Sequence, residues 1–323
     1  MKRIVPLKKQ GVKMKIVFLD AKTMGDDVSL EAFSEFGEFV TYATTSKKET
    51  LEHIGNAQIV LTNKVVIDSD TMDACPQLRL ICITATGMNN VDLDYAKKKG
   101  IEVKNVAGYS TASVTQTTFT LALYLMAQTR FYDEFVKSGE WSKSGLFTNV
   151  ERPYGEIKGK KWGIIGFGTI GKSVAKVADA FGAHVSYYST SGANNDSSYT
   201  RMELSDMLEA CDIISIHAPL NEKTNGLIKK EQLVLMKKGA ILLNMGRGGI
   251  VNEADLADAI DNNGLIAGLD VTLSEPIEKD NKLLHVKNKR NLVITPHIAW
   301  ASYEARVELM KMVADNIKNY LEI

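Results

Sequence analysis

The stretch from Trp162 to Gly182 reads WGIIGFGTIGKSVAKVADAFG, and it constrains the fold more than any other part of the chain. It begins as an apolar run, turns at Gly166, Gly168 and Gly171, and leaves as a helix. Strand, glycine-rich turn and helix start follow in the order that cradles a dinucleotide. Gly166 permits the tight turn, Gly168 lets the backbone approach a pyrophosphate, and Gly171 lets helix and strand pack closely. The free N–H groups and positive dipole end of the helix that begins near Thr169 then face the phosphates. Glycines mark turns everywhere, so the weight of the motif lies in its two correct flanks.

A chain of 323 residues suits two domains, each with its own core. Basic and acidic residues balance at 39 each, so no global field draws nucleic acid or an anionic membrane. No apolar run is long enough to span a bilayer. The opening MKRIVPLKKQGVK is basic but lacks the apolar centre of a signal peptide. Met14 is a candidate natural start, because MKIVFLD opens a strand directly, and residues 1–13 are then an upstream extension of no obvious role. The three cysteines, Cys75, Cys82 and Cys211, lie in or beside apolar runs without a CxxC pair. Buried, reduced thiols of a cytoplasmic protein are expected. No cluster has metal-ligand spacing, so no metal is expected.

From Met14 to about Val106, short apolar runs alternate with helix-like stretches. KIVFL, FVTYA, AQIVL, LRLICI and IEVKNV read as strands; SLEAFSEFG, KKETLEHIG, SDTMDAC and VDLDYAKKKG read as helices, with Gly37, Gly55 and Gly100 as stops. Such alternation means a parallel sheet covered by helices on both faces. This first unit has no glycine fingerprint and is not expected to be the main cofactor binder. A long apolar helix follows, capped at Ser110 or Thr111 and running to about Thr129. Its apolar residues nearly encircle it, which fits burial inside one domain or between two subunits. A second alternating series runs from Trp162 to His297: KKWGIIG, AHVSYYS, CDIISIH, GAILLNM, LIAGLDV and LVITPH as strands, with four helices between them. It makes a complete doubly wound set. The last stretch, SYEARVELMKMVADNIKNYL, is an amphipathic helix with Val307, Met310, Val313 and Ile317 on one face, free to pack back on the first unit. Residues 1–108 and 300–323 are thus expected to form a flavodoxin-like substrate domain. Residues 109–299 form the dinucleotide-binding domain, with an active cleft between the two.

Ligands bind beyond the carboxyl ends of parallel strands. The loop after GAILLNM brings Arg247, the loop after LIAGLDV brings Asp270 and Glu275, and His297 follows LVITP. Each alone has a bland account as a solvated or turn residue. An arginine, a carboxylate and a histidine at equivalent positions beside a nucleotide fit hydride transfer to a 2-keto acid. Arg247 can hold a carboxylate with two parallel hydrogen bonds and polarise the adjacent carbonyl. His297 is the natural proton donor as the carbonyl becomes an alkoxide. Glu275 on the far ring nitrogen would fix the tautomer and favour the protonated ring. His53, His184 and His285 have no evident partners and read as structural.

GFGTIG, CDIISIHAPLNEKT, LLNMGRGGIVNEADL, GLDVTLSEP and TPHIAW together resemble the D-isomer-specific 2-hydroxyacid dehydrogenase family, over nearly all of Met14 to Ile323. The resemblance implies two Rossmann-like domains, a nicotinamide cofactor, and the triad Arg247, Glu275 and His297. It implies that Thr169 and Ile170 touch the pyrophosphate, and that His217, Ala218, Pro219 and Thr224 line the cofactor. Met245, Gly246 and Asp270 would flank the nicotinamide. The loop TATGMNNVD would bind the substrate carboxylate near Thr86 and Gly87. TPHIAWAS, with TNK at Thr62 to Lys64, is similar to the glycerate dehydrogenase, or hydroxypyruvate reductase, branch, and makes Trp300 a candidate pocket wall. Hydroxypyruvate or glyoxylate is then the favoured substrate and a homodimer the favoured assembly. Members specific for NAD usually end the second strand on an acidic residue, and this chain has Ser189, then Thr190 and Ser191. A missing carboxylate removes the repulsion against a 2′-phosphate, but no arginine or lysine directly follows to attract one. NAD is expected, with NADP open. Two other readings stand beside the enzyme: a nucleotide-sensing regulator on the same fold, and a dehydrogenase for another small acid such as lactate, phosphoglycerate or formate. Glu275 paired with His297 argues against formate.

Overall fold

The structure is a computed structural model and describes residues 14–321. Residues 1–13, read above as an upstream extension, lie outside the described residues. The chain divides into two compact units: residues up to Ser110 together with those from Ala301 onward, and Thr111–Trp300.

In unit 1 the apolar runs become strands β1 (Met14–Phe18), β2 (Gly37–Thr41), β3 (Ile59–Thr62), β4 (Leu80–Ile83) and β5 (Glu102–Lys104). They form one parallel sheet in the order β2-β1-β3-β4-β5. Every residue of β3 and β4 is buried. That is why they read as continuous apolar runs rather than alternating ones. Helices α1 (Thr50–Ile54), α2 (Ser69–Ala74) and α3 (Leu93–Lys99) connect them. The carboxylates of Asp68 and Asp92 cap α2 and α3 by accepting from Thr71 N and Tyr95 N at 2.9 Å. The stretch over residues 29–37 is a 3₁₀ turn, Glu31–Phe36, rather than an α-helix: no side chain caps it and Gly37 opens β2 at once. His53 does have partners. It stacks on Tyr42 and places Nδ1 2.8 Å from Thr45 Oγ1.

The C-terminal helix, Tyr303–Leu321, belongs to unit 1 and packs on β4 and on the 3₁₀ turn. Its buried face is Ala305, Leu309, Met310, Val313 and Ile317, whereas Val307 is 41% exposed. The expected face was therefore rotated: Leu309 and Ala305 replace Val307 on the stripe that a 3.6-residue period lays against the sheet. Arg306 ties the helix down by gripping the Asp27 carboxylate with both terminal nitrogens.

Unit 2 opens with α4 (Thr111–Met126), α5 (Thr129–Lys137) and α6 (Glu140–Ser144). The long helix ends three residues sooner than expected. Gln128 takes a left-handed φ of 52° and starts α5 on a new axis. The buried face of α4, with Val114, Phe119, Leu121, Ala122 and Leu125, packs on the core of its own unit. Then follow β6 (Lys161–Ile165), α7 (Thr169–Ala180), β7 (His184–Tyr188), β8 (Thr200–Arg201) and α8 (Leu204–Ala210). After these come β9 (Ile213–Ile216), α9 (Lys230–Leu233), β10 (Ile241–Asn244), α10 (Glu253–Asn262), β11 (Ile266–Leu269) and β12 (Leu292–Ile294). The sheet is parallel throughout, in the order β12-β11-β10-β9-β6-β7-β8. Its direction of winding reverses between β6 and β9, which is where such sheets bind ligands. The three cysteines are free and buried.

Removal of a buried methylene group leaves a cavity, so the rotated face of the C-terminal helix has a measurable consequence. Ile317→Ala should destabilise unit 1 by about 2–5 kcal/mol. Val307→Ala should change it by less than about 0.5 kcal/mol. Urea unfolding of both variants checks this; equal losses would contradict the assignment.

Candidate functional site

Five neighbouring strands deliver the candidate residues in succession at one sheet edge. Gly166 follows β6, His217 follows β9, Arg247 follows β10, Asp270 follows β11 and His297 follows β12. Gly166 has φ 89°, and a Cβ there would lie 2.7 Å from Ala218 N. A Cβ on Gly171 would run into the Gly166 carbonyl oxygen. At Gly168, which precedes α7, a Cβ would meet nothing within 4 Å, so this glycine faces open space. The N-terminus of α7, with Thr169 and Ile170, opens on that space. Beside it lies a cavity of about 560 Å³ lined by Gly166, Phe167, Gly168, Thr190, Ser191, Asn194, His217, Pro219 and the 221–223 loop.

His217 tests whether this cavity fits a polar ligand. Both ring nitrogens are buried and neither has a hydrogen-bond partner. Burial pushes the ring's pKa down to about 3, so it is a neutral imidazole with one donor and one acceptor unspent. Buried polar atoms are nearly always paired, and an orphan pair on a cavity wall is satisfied by a bound group. Residues His217, Ala218 and Pro219 thus suit a nucleotide cofactor. Thr224 acts one step back: it is buried, and its Oγ1 donates to Pro219 O at 2.6 Å and accepts from Asn221 N at 2.8 Å, which fixes the loop.

Ser189 is buried, and its Oγ accepts from Asn194 N at 3.2 Å. Thr190, Ser191 and Asn194 therefore line the cavity in its place. No arginine or lysine directly follows Ser189 in the chain, but the fold brings one in from farther along. Strand β8 pairs with β7 and brings Arg201 alongside, where its guanidinium donates to Gly192 O at 3.2 Å. Asp196 is already matched by Lys172 at 3.1 Å.

Arg247 sits on a loop braced from within. Asn244 Nδ2 donates to Arg247 O at 3.0 Å, Gly246 N donates to Asn244 Oδ1 at 3.1 Å, and the Arg247 guanidinium donates to Gly246 O at 2.8 Å. Asn244, only 2% exposed, escaped the sequence reading; its signal was a polar residue closing an otherwise apolar strand. Met245 is buried behind the same loop.

Glu275 and His297 come together as expected, with His297 Nδ1 2.7 Å from Glu275 Oε2. His297 takes a left-handed φ of 54°, rare for a residue with a side chain. Asp270 holds it there. This carboxyl is 2% exposed and accepts from Thr295 Oγ1 at 2.6 Å and from Ile298 N and Ala299 N at 2.9 Å. Its own carbonyl accepts from His297 N at 2.8 Å. Burial pushes the Asp270 carboxyl up, and those hydrogen bonds pull it back. Trp300, half-buried, follows the same turn. In unit 1 the Thr86–Gly87 loop is tied to β5 and its exit: Thr86 Oγ1 donates to Val106 O at 2.9 Å, and Asn105 Nδ2 donates to Thr86 O at 2.7 Å. Among the described residues, no group of three or more His, Cys, Asp or Glu is placed to hold a metal ion. None of the described helices is long and apolar enough to cross a membrane.

Comparison with known proteins bears on this edge. Residues 119–299 match the model for the NAD-binding domain of D-isomer-specific 2-hydroxyacid dehydrogenases. The chain is 38% identical to a hydroxypyruvate reductase of Blautia hydrogenotrophica, covering 96% of this chain and 97% of the relative. It is 36% identical to a glycerate dehydrogenase of Methylorubrum extorquens, covering 95% and 96%. Among solved structures it is similar to the D-lactate dehydrogenase of Aquifex aeolicus complexed with NAD and lactic acid, with a TM-score of 0.82, 26% identity and 95% of each chain covered.

If Asp270 is what holds the His297 turn, Asp270→Asn leaves one oxygen to serve three donors. Amide hydrogen exchange at Ile298 and Ala299 should then quicken at least about tenfold while the rest of the β12 region keeps its protection. Unchanged exchange at those two amides would contradict this role.

Proposed function

The chain belongs to the D-isomer-specific 2-hydroxyacid dehydrogenase family, and from that premise we propose that it reduces hydroxypyruvate or glyoxylate to the D-2-hydroxy acid. The observation that carries the reading is the Glu275–His297 pair, set at the sheet edge next to the Arg247 loop. When bound, the nicotinamide supplies the hydride. Gly166, Gly168, Thr169, Ile170, Gly171, His217, Ala218, Pro219, Met245 and Gly246 hold the cofactor, with Ser189 and Thr224 shaping its walls. Arg247 takes the substrate carboxylate through two parallel hydrogen bonds and polarises the carbonyl. With Nδ1 engaged by Glu275, His297 presents Nε2, from which a proton passes to the developing alkoxide. Asp270 keeps that ring in place. Trp300 walls the pocket on the side of its own unit.

Both NADH and NADPH serve as reductant in this reading. The turn after β7 offers Thr190, Ser191 and Asn194 but no unpaired carboxylate, and Arg201 stands one hydrogen bond away to meet a 2′-phosphate. The protein works in the cytoplasm, as its three reduced, buried thiols suit. It works as a homodimer, because Leu146, Phe147, Val150 and Tyr154 are between 64% and 90% exposed in one short segment that a second copy would cover. A solution mass equal to one chain would remove the dimer.

Assays of glyoxylate and hydroxypyruvate with each reduced cofactor test the central reading. Turnover should appear with both, and a thousandfold cofactor bias would end the dual-cofactor idea. His297→Ala should lower kcat by about 10² to 10⁴ with folding preserved. Arg247→Ala should weaken keto-acid binding while NADH affinity stays within about threefold, since only the substrate loses its bidentate partner. Near-normal turnover of the first, or lost NADH binding in the second, would overturn these roles.

A further inference from the structure

Three short basic runs, KGKK at 158–161, KK at 237–238 and KNKR at 287–290, lie far apart in the chain. Each leads into a strand of unit 2: β6, β10 and β12 respectively. The sheet is parallel throughout, so all its strands start at one edge, opposite the edge that carries the glycine turn, Arg247 and His297. The fold thus gathers the three runs at the amino edge, where none of the chemistry assigned above takes place.

The backbone of these runs is fixed while their cationic groups stay spare. Gly159 N donates to Gly182 O and His184 N to Lys160 O, both at 2.8 Å, which lays the first run beside the start of β7. Asp212, just ahead of β9, accepts from Lys161 N at 2.9 Å and pairs with Lys237 Nζ at 2.9 Å. Asp261 accepts from the backbone N–H groups of Lys287 at 2.9 Å and Asn288 at 3.0 Å. Both carboxylates are therefore spent. Among the described residues no carboxylate lies within ion-pair distance of Lys158, Lys160, Lys161, Lys238, Lys289 or Arg290. Lys160 is half-buried and the other five are exposed. Bases often gather where helices end, to meet the negative end of the helix dipole. Helices α7, α8 and α10 end at this edge, yet none has a basic residue in its last turn. The row does not serve the helices.

Neighbouring strands lie about 4.8 Å apart, so the row from β12 to β7 extends over about 24 Å. Lys158 marks one end, where a Cβ on Gly182 would lie 3.2 Å from its Cγ. Next to Gly182 stands Phe181, 44% exposed, with its ring stacked on Phe119 at 5.5 Å. At the other end Arg290 lies 5.7 Å from the Phe131 ring. Cations in a line with an aromatic ring at each end meet the needs of a single strand of nucleic acid, whose phosphates follow the charges while its bases stack on exposed rings. Zero net charge removes a global field, but the amino edge carries a local one. We propose that the amino edge of unit 2 binds single-stranded nucleic acid without sequence preference, with the three basic runs on the phosphates and Phe181 as a stacking platform. The surface is separate from the cofactor edge, and the proposal stands apart from the substrate reading.

Fluorescence anisotropy with a labelled oligouridylate of about 12 nucleotides, within the usual site sizes, tests this. The wild-type protein should bind it at low salt and lose it as salt rises, with log K falling against log[salt] at a slope of about −2 to −3, as for three or four phosphates on a single strand. Lys158→Gln, Lys238→Gln and Lys289→Gln together take one charge from each run. They should weaken binding at least about tenfold and flatten the slope by about 2, with thermal melting unchanged. Phe181→Leu keeps an apolar side chain but loses the flat face, and should weaken binding about fivefold or more without changing the slope. Saturating NADH should leave the oligouridylate bound. Displacement by NADH would put the strand at the cofactor edge and overturn the proposal. So would an absence of binding, an unchanged affinity in the triple variant, or tighter binding to polyglutamate or to phosphatidylserine vesicles than to oligouridylate.

Discussion

A buried carboxyl at Asp270 governs the geometry on which the proposed chemistry depends. The turn Thr295–Ala299 must present His297 in a left-handed backbone conformation. A residue so placed carries strain of about 1–3 kcal/mol unless its surroundings determine it. Asp270 supplies that determination through three hydrogen bonds from Thr295, Ile298 and Ala299 and one from His297 N to its carbonyl. Glu275 then needs only one contact, at 2.7 Å, to fix the ring. Placement of the ring is thus inherited from the core rather than from the surface loops, as reacting groups require when small displacements cost large factors in rate.

The same logic recurs in unit 1. Asp20 follows the first strand as Asp270 follows the penultimate strand of the other sheet, and each is a buried acid that collects N–H groups from a neighbouring loop. Parallel sheets make this economical. All strands end at one edge, so a carboxyl at one strand end lies close to the backbone of the next loop. A buried acid with its donors fully arranged is a rigid staple for the loop that supplies them.

Much of this was legible in the residues. The two parallel sheets followed from apolar runs alternating with helices, because a strand buried on both faces must be apolar throughout. The glycine turn and the residues Arg247, Glu275 and His297 followed from motif and strand-end position. Other features depend on contacts between residues far apart in the chain, and no local pattern reports them. Asp270 meets Ala299 across 29 positions, and Asp20 meets Lys64 across 44. Arg201 joins the turn after β7 only because a two-residue strand pairs there, too short for any periodicity to register. Val307 was misplaced because it sits one step around the helix from the buried stripe, where apolar character alone does not decide. Helices α5 and α6 have no buried residues; α5 does carry aromatic side chains one turn apart, Phe131 and Phe135, but they face no core that would mark the segment as part of the domain.

The most direct measurement is a crystal structure of the protein with NADH and oxamate, an unreactive mimic of a 2-keto acid. The account predicts the oxamate carboxylate on the Arg247 guanidinium and its amide oxygen within hydrogen-bond distance of His297 Nε2, with Nδ1 still on Glu275. Oxamate bound with either the guanidinium or the imidazole turned away from it would contradict the account.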